Sequence, residues 1–165
     1  MSVLLIDAGN SRVKWQLRQA GIIEAQGGVA HTDLAQMSDA EAGRIFPAHC
    51  DRVVVASVRD NDSLHQSLNA HYGARLRWLA QPVSDHPAFI HCYAEPGRLG
   101  VDRWLAMLGA RCHYSAPLIV ADAGTALTVD LMSADNHHEG GFIVPGLQLA
   151  QQALFNSTQR VRPYN

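Results

Sequence analysis

Apolar and polar positions fall into short, distinct blocks along this chain of 165 residues. Val3 to Asp7 is an apolar run closed by an acid and reads as a first strand. From Arg12 to Arg18, Val13, Trp15 and Leu17 alternate with Arg12, Lys14 and Gln16, the period of two of a half-buried strand. Gly21 and Gly27-Gly28 punctuate a third strand, Ile22 to Val29. SDAE, Ser38 to Glu41, has the form of a capping box and predicts a helix start or break. Asp51 to Val58 is rich in β-branched residues and predicts a buried strand. DNDSLHQSLNAHYG then predicts a helix with an Asp or Asn cap, Leu64 and Leu68 four apart, and Gly73 as its stop. Arg75 to Leu79 reads as a short strand, and Gln81 to Pro96, with Pro82, Pro87 and Pro96, as an irregular connection. Gly100 to Tyr114 predicts a helix with Val101, Leu105, Leu108 and Cys112 on one stripe.

After Pro117 the pattern restarts: strand, tight turn, strand, a turn near Asp135 to His138, a strand to Val144, and a helix from about Leu147 to Phe155. The chain thus carries an architectural repeat, full in its first copy and partial in its second. The domain division follows from it: residues 1–115 for the first copy, 116–165 for the second. A half-domain of that kind would leave a sheet edge unpaired and a face uncovered, as in a fragment or a chain completed by another subunit.

The two copies share a peculiar junction. LLIDAGNS and LIVADAGTA each end an apolar run in Asp-Ala-Gly and a small polar residue, with Asp7 and Asp122 as the matching acids. One such turn alone is an ordinary hairpin. Two in matching contexts point to phosphate: glycine lets the backbone approach an anion with its N–H groups, and Asn10-Ser11 or Thr125 adds a directed hydrogen bond. An Asp at the strand end offers an oxygen to hydrated Mg²⁺ or a monovalent cation. Lys14, the sole lysine of the chain, could add a point charge there. Two such hairpins facing each other would grip a polyphosphate from both sides.

The bulk numbers narrow the classes. Apolar residues make up 47% of the chain, enough for a core, and the formal charge of −2 argues against nucleic acid or an anionic membrane as the main partner. No run of about twenty apolar residues suggests a membrane span, and the start of the chain does not read as a signal peptide. Cys50, Cys92 and Cys112 are few and scattered, which suits reduced thiols in the cytoplasm better than disulfides or zinc. His137-His138 sits in the predicted turn without ligand-spaced partners. Trp15, Trp78 and Trp104 read as packing.

At this point the residues resemble a known family. Asp7-Ala8-Gly9-Asn10-Ser11 and Asp122-Ala-Gly124-Thr125-Ala look like the two phosphate motifs of the superfamily of actin, sugar kinases and heat-shock chaperone ATPases. GVDRW, Gly100 to Trp104, and GGFIVPG, Gly140 to Gly146, are similar to type III pantothenate kinases. The resemblance implies an α/β fold, a duplicated ribonuclease H-like domain whose second copy is incomplete. It implies ATP-dependent phosphorylation of the primary hydroxyl of pantothenate, the first step toward coenzyme A, in a cytoplasmic homodimer. The ATP phosphates would meet Asp7, Ala8, Gly9, Asn10, Ser11, Arg12, Val13, Lys14, Gly124 and Thr125. Asp122 would hold K⁺ or NH₄⁺, and Asp7 would hold Mg²⁺ through water. Tyr93, Gly100, Val101, Asp102 and Arg103 would line the pantothenate pocket.

Those residue types suit phosphoryl transfer, which is mostly positioning and charge neutralisation. Asp102, at a helix start, could accept the substrate hydroxyl proton, and the Arg103 fork suits a carboxylate. Tyr93 fits packing as well as ligand contact, and Gly140-Gly141 fits either a bulge that keeps a strand edge open or an ordinary irregularity. Two rivals stand beside this reading: a related small-molecule kinase, and a non-catalytic accessory protein for transcription. Family members are longer, so a truncated chain retaining both phosphate hairpins is the expectation.

Overall fold

A computed structural model describes residues 1–37, 41, 44–59, 62–80, 82, 89–158, 160 and 162. The predicted capping box, through Ser38 to Ala40, and the predicted cap at Asp60-Asn61 lie outside them. The chain divides into two compact units, Met1–Gln81 and Pro82–Asn165.

The first unit is built on strands β1 (Ser2–Ala8), β2 (Arg12–Gln19), β3 (Ile22–Ala30), β4 (Arg52–Ser57) and β5 (Leu76–Leu79). Their order is β3-β2-β1-β4-β5. The first three pair antiparallel through tight turns, while β4 and β5 run parallel to β1, as a strand reached through a helical crossover must. Helix α1 (His31–Leu34) follows β3, and α2 (Asp62–Tyr72) connects β4 to β5. Period two puts Leu4, Ile6 and Ala8 of β1 on one face, where they bury against Val13, Val29, Val53 and Val55. Leu64, Leu68 and Tyr72 of α2 complete that core, with Leu64 and Leu68 four apart as predicted. Each such aliphatic side chain, fully buried, contributes roughly 1.5–3 kcal/mol. The opposite face of β1, Leu5 and Asp7, is exposed.

The second unit holds a 3-10 turn (Pro96–Arg98), α3 (Val101–Arg111), strands β6 (Leu118–Ala123), β7 (Ala126–Met132) and β8 (His138–Pro145), and α4 (Leu147–Ser157). The three strands form an antiparallel sheet in the order β6-β7-β8. It repeats the β1-β2-β3 meander, including a bulge: the register shifts between Leu131 and Met132, so that Leu131 faces Gly140 while Met132 faces His138. Glu139 is the extra residue, and Gly140, at φ 131°, takes the backbone turn that only glycine adopts freely. Gly140 therefore borders the bulge, while Gly141 pairs in regular register with Asp130.

Several elements differ from the periodicity. The compact units are Met1–Gln81 and Pro82–Asn165, and in the second α3 packs on β6 and β7. The buried stripe of α3 is Val101, Trp104 and Met107 with Arg103, while Leu105 and Leu108 are half-buried and Cys112 is exposed. Bulky Trp104 and Met107 set the face. His138 is not a turn residue. It opens β8 and is buried. On the face of the second sheet that carries Ala121 and Ala123, the counterpart of the packed Ile6 and Ala8, Ile119, Leu131, Phe142 and Val144 are exposed. The expected uncovered face is present among the described residues.

Candidate functional site

The first Asp-Ala-Gly closes the β1–β2 hairpin. Asp7 pairs in register with Lys14, so acid and amine stand on the same exposed face of neighbouring strands. The turn is closed by Gly9 N–H donating to Arg12 O at 3.1 Å. Its carbonyls are occupied from the protein side. His31 Nε2 donates to Gly9 O at 2.8 Å, His31 N–H to Ser11 O at 3.2 Å, and Arg59 Nη1 to Asn10 O at 2.6 Å. With three carbonyls engaged, N–H groups are what this turn can offer an anion. Arg12 and Lys14 add exposed positive charge, whereas Ala8 and Val13 are buried and hold the hairpin to the core. Arg59 and His31 escaped the sequence reading because their link to the turn is long-range. Ser57 Oγ donates to Arg59 O at 2.7 Å and so fixes the arginine just past β4.

The second Asp-Ala-Gly closes the β6–β7 hairpin. Gly124 N–H donates to Ala126 O at 2.9 Å, and Asp122, Gly124 and Thr125 are exposed. Gly146 N–H donates to Thr125 O at 2.9 Å, which seats the amino terminus of α4 on this turn. A Cβ at position 146 would lie 2.7 Å from Thr125 O, so only glycine permits the contact. The helix terminus brings the positive end of its dipole beside the hairpin, an arrangement suited to phosphate. PG in GGFIVPG has this geometric reason.

Asp122 pairs in register with Thr128, and Asp130 stands two residues further along β7 on the same face. That face receives α3. Arg103 Nε donates to Asp130 Oδ2 at 2.9 Å and Nη2 to Oδ1 at 2.5 Å, with the two side chains 5% and 2% exposed. Pairing with Asp130 raises the Arg103 pKa against the opposing pull of burial. The fork expected to meet a substrate carboxylate is thus engaged by the protein's own acid. Its remaining nitrogen, Nη1, lies 3.4 Å from Tyr93 Oη. A Cβ at position 141 would meet Arg103 Nη2 and Val129 O, each at 2.5 Å, so Gly141 admits the ion pair against β8. Asp130 was missed in the sequence because nothing in its spacing links it to Arg103, 27 residues earlier.

Asp102 occupies the first turn of α3 and is exposed. Its Oδ1 accepts the Arg103 N–H at 2.8 Å, and a Cβ at position 100 would lie 2.5 Å from that oxygen. Gly100 therefore lets the carboxylate fold over the helix start, and buried Val101 anchors it. Tyr93, half-buried, joins this group through Arg103. Asp7, Gly9, Asn10, Ser11 and Lys14 lie in the first unit; in the second, Tyr93 meets Arg103 of the Gly100–Arg103 segment, and Asp122, Gly124 and Thr125 lie at the β6–β7 hairpin.

The family model for type III pantothenate kinase matches residues 3–164. The chain belongs to the type III pantothenate kinase family. A type III pantothenate kinase from Azoarcus sp. strain BH72 is 37% identical over 165 residues, covering 97% of this chain and 61% of that protein. The chain therefore spans less than two thirds of that relative's length. Among solved structures, a Baf-family protein from Campylobacter jejuni superposes with a TM-score of 0.58 at 22% identity, covering 97% of this chain and 63% of that one. A Ppx/GppA phosphatase from Aquifex aeolicus superposes at 0.52 and 12% identity, covering 93% and 55%. These likenesses establish the fold of the kinase-family chain as the actin-like, ribonuclease H-like one. No helix among its described residues is long and apolar enough to cross a membrane.

Proposed function

We propose that the protein containing this chain phosphorylates the primary hydroxyl of pantothenate with ATP, the first step toward coenzyme A. The observation that carries the reading is the repeated glycine hairpin in a chain of this family, each copy presenting an acid and a close-approach turn. Gly9 to Ser11 and Lys14 hold phosphate oxygens in one unit, and Gly124, Thr125 and the α4 terminus do so in the other. Asp102 accepts the hydroxyl proton on its own exposed carboxylate, which is held at the start of α3. Arg103 acts from its pairing with Asp130, with Nη1 and Tyr93 Oη as the edge that meets pantothenate.

Among the described residues no three His, Cys, Asp or Glu side chains gather as a metal cage. Single carboxylates at Asp7 and Asp122 fit cations that draw most of their ligands from phosphate oxygens, carbonyls and water, as hydrated Mg²⁺ and K⁺ or NH₄⁺ do. When bound, such cations neutralise charge on the transferring phosphate. Three free thiols fit a reducing cytoplasm. A homodimer is part of the same reading.

The test is phosphate transfer from ATP, with Mg²⁺ and K⁺, to a panel of alcohol acceptors by the whole protein. Transfer to pantothenate is expected, and transfer to a different acceptor or to none would overturn the proposal. In the same assay Asp102→Asn should lower kcat about 10²–10⁴-fold. Near-normal turnover would reduce Asp102 to a positioning residue.

A further inference from the structure

Beside the substrate segment, on the far side of Asp130 from Arg103, stand two side chains that the kinase chemistry does not use, Cys92 and His138. Ile90 and His137 form an isolated parallel bridge: Ile90 N–H donates to Asn136 O at 3.0 Å, and His138 N–H to Ile90 O at 2.8 Å. This stitch carries Cys92, two residues on, to the start of β8. There Cys92 Sγ stands 3.7 Å from His138 Nδ1, and His138 Nε2 stands 2.8 Å from Asp130 Oδ1. The imidazole is fully buried, with the rings of Phe89 and Tyr93 near it at 6.3 and 5.8 Å, while Cys92 is exposed.

The proton inventory fixes the roles. Asp130, paired with Arg103, is a carboxylate and can only accept, so His138 Nε2 carries the hydrogen. In the neutral imidazole Nδ1 then turns its lone pair toward the Cys92 thiol. A nucleophile, a base and an acid that orients the base stand in line, with the nucleophile alone open to solvent. Among the described residues the charged groups at the cluster are Asp130 and Arg103, which balance each other, with the Tyr93 hydroxyl on Arg103 Nη1.

We propose that Cys92 is a reactive thiol served by His138 and oriented through Asp130, and that it takes up the disulfide of a small thiol. In the exchange the Cys92 thiol proton passes to His138 Nδ1 and the thiolate attacks one sulfur of the disulfide. The S–S bond breaks, and the departing thiolate takes the proton from the imidazolium. One mixed disulfide and one free thiol result, with no other oxidant or reductant. Exchange asks for a thiol, a proton acceptor and access, which this cluster holds, whereas acyl transfer would also require oxyanion donors. The adduct would stand beside Tyr93 and slow phosphorylation; that consequence rests on the proposed function, while the thiol chemistry does not.

The chain supplies its own references. Cys112 is exposed, and Cys50 is buried with its thiol pushed up chiefly by burial. Treated with glutathione disulfide at neutral pH and followed by peptide mass spectrometry, Cys92 should react about tenfold faster than Cys112 or more. His138→Gln should bring Cys92 to the Cys112 rate and leave the Cys112 rate unchanged. Equal rates at the two cysteines in the native chain, or an undiminished Cys92 rate in the variant, would overturn the proposal. Should the variant fail to fold, the pH dependence of the native rates decides. A Cys92 rate that levels off below about pH 8.5, the ordinary thiol range, supports the assignment, and one that climbs in parallel with Cys112 refutes it. Pantothenate phosphorylation is measured separately, so a failed kinase assay leaves this result standing.

Discussion

Replacing Asp130 with Asn would leave the Arg103 guanidinium buried without its counter-charge. Asp130 Oδ1 accepts from Arg103 Nη2 and His138 Nε2, and Oδ2 accepts from Arg103 Nε. An asparagine oxygen at the Oδ1 position could keep the first two, but its NH₂ would then face the Arg103 Nε–H, donor against donor. Arg103 is 5% exposed, so water cannot substitute. Breaking a pair this deeply buried costs about 3–5 kcal/mol. For a unit the size of Pro82–Asn165, that lowers Tm by about 10 °C or more. Thermal and urea melts followed by near-UV circular dichroism, to which buried Trp104 contributes, would measure it. The double variant Arg103→Met, Asp130→Leu removes both charges; it leaves buried His138 Nε2 unsatisfied, about 1–3 kcal/mol, while the half-buried Tyr93 hydroxyl that loses Arg103 Nη1 can turn to water. It should therefore be more stable than the single variant. A shift under about 2 °C for Asp130→Asn, or a double variant less stable than the single, would show that the pair is not the electrostatic keystone of the unit.

Gly146→Ala should cost about 1–3 kcal/mol in urea unfolding, because the new methyl meets Thr125 O; unchanged stability would mean that α4 and the second turn separate easily. Arg59→Ala should raise the KM for ATP of the whole protein about fivefold, the equivalent of roughly 1 kcal/mol, by releasing Asn10 O from its brace. An unchanged KM would show that the first turn holds its shape unaided. Tyr72 donates to Pro47 O at 2.9 Å, and burial pushes its phenol from 10 up to about 12, with Cys50 adding to the rise and Arg75 opposing it. The unfolded chain sheds this proton first, so the stability present below pH 10 is lost as pH rises toward 12. Tyr72→Phe should flatten that alkaline loss and cost about 1 kcal/mol at neutral pH. Denaturation midpoints across this range test both parts, and an equally steep loss in the variant would place its origin elsewhere.

The sequence by itself determined the strands, because an alternation of two and apolar runs closed by turn residues are local properties. It determined α2 with its Leu64–Leu68 face, and the two Asp-Ala-Gly hairpins, because glycine and a strand-end acid announce themselves within a few residues. Only the tertiary structure decided which groups those hairpins lean on. Arg59 and His31 reach the first turn, and the start of α4 reaches the second, across chain separations that no period encodes. The same holds for Arg103, whose fork suits a ligand on paper but closes on Asp130 once α3 lies on the sheet. His138 reads as a turn residue until the Glu139 bulge places it in β8 with its ring buried. A buried charge or imidazole is satisfied by whatever partner packing brings within about 3 Å, and packing depends on the whole chain, not on spacing along it.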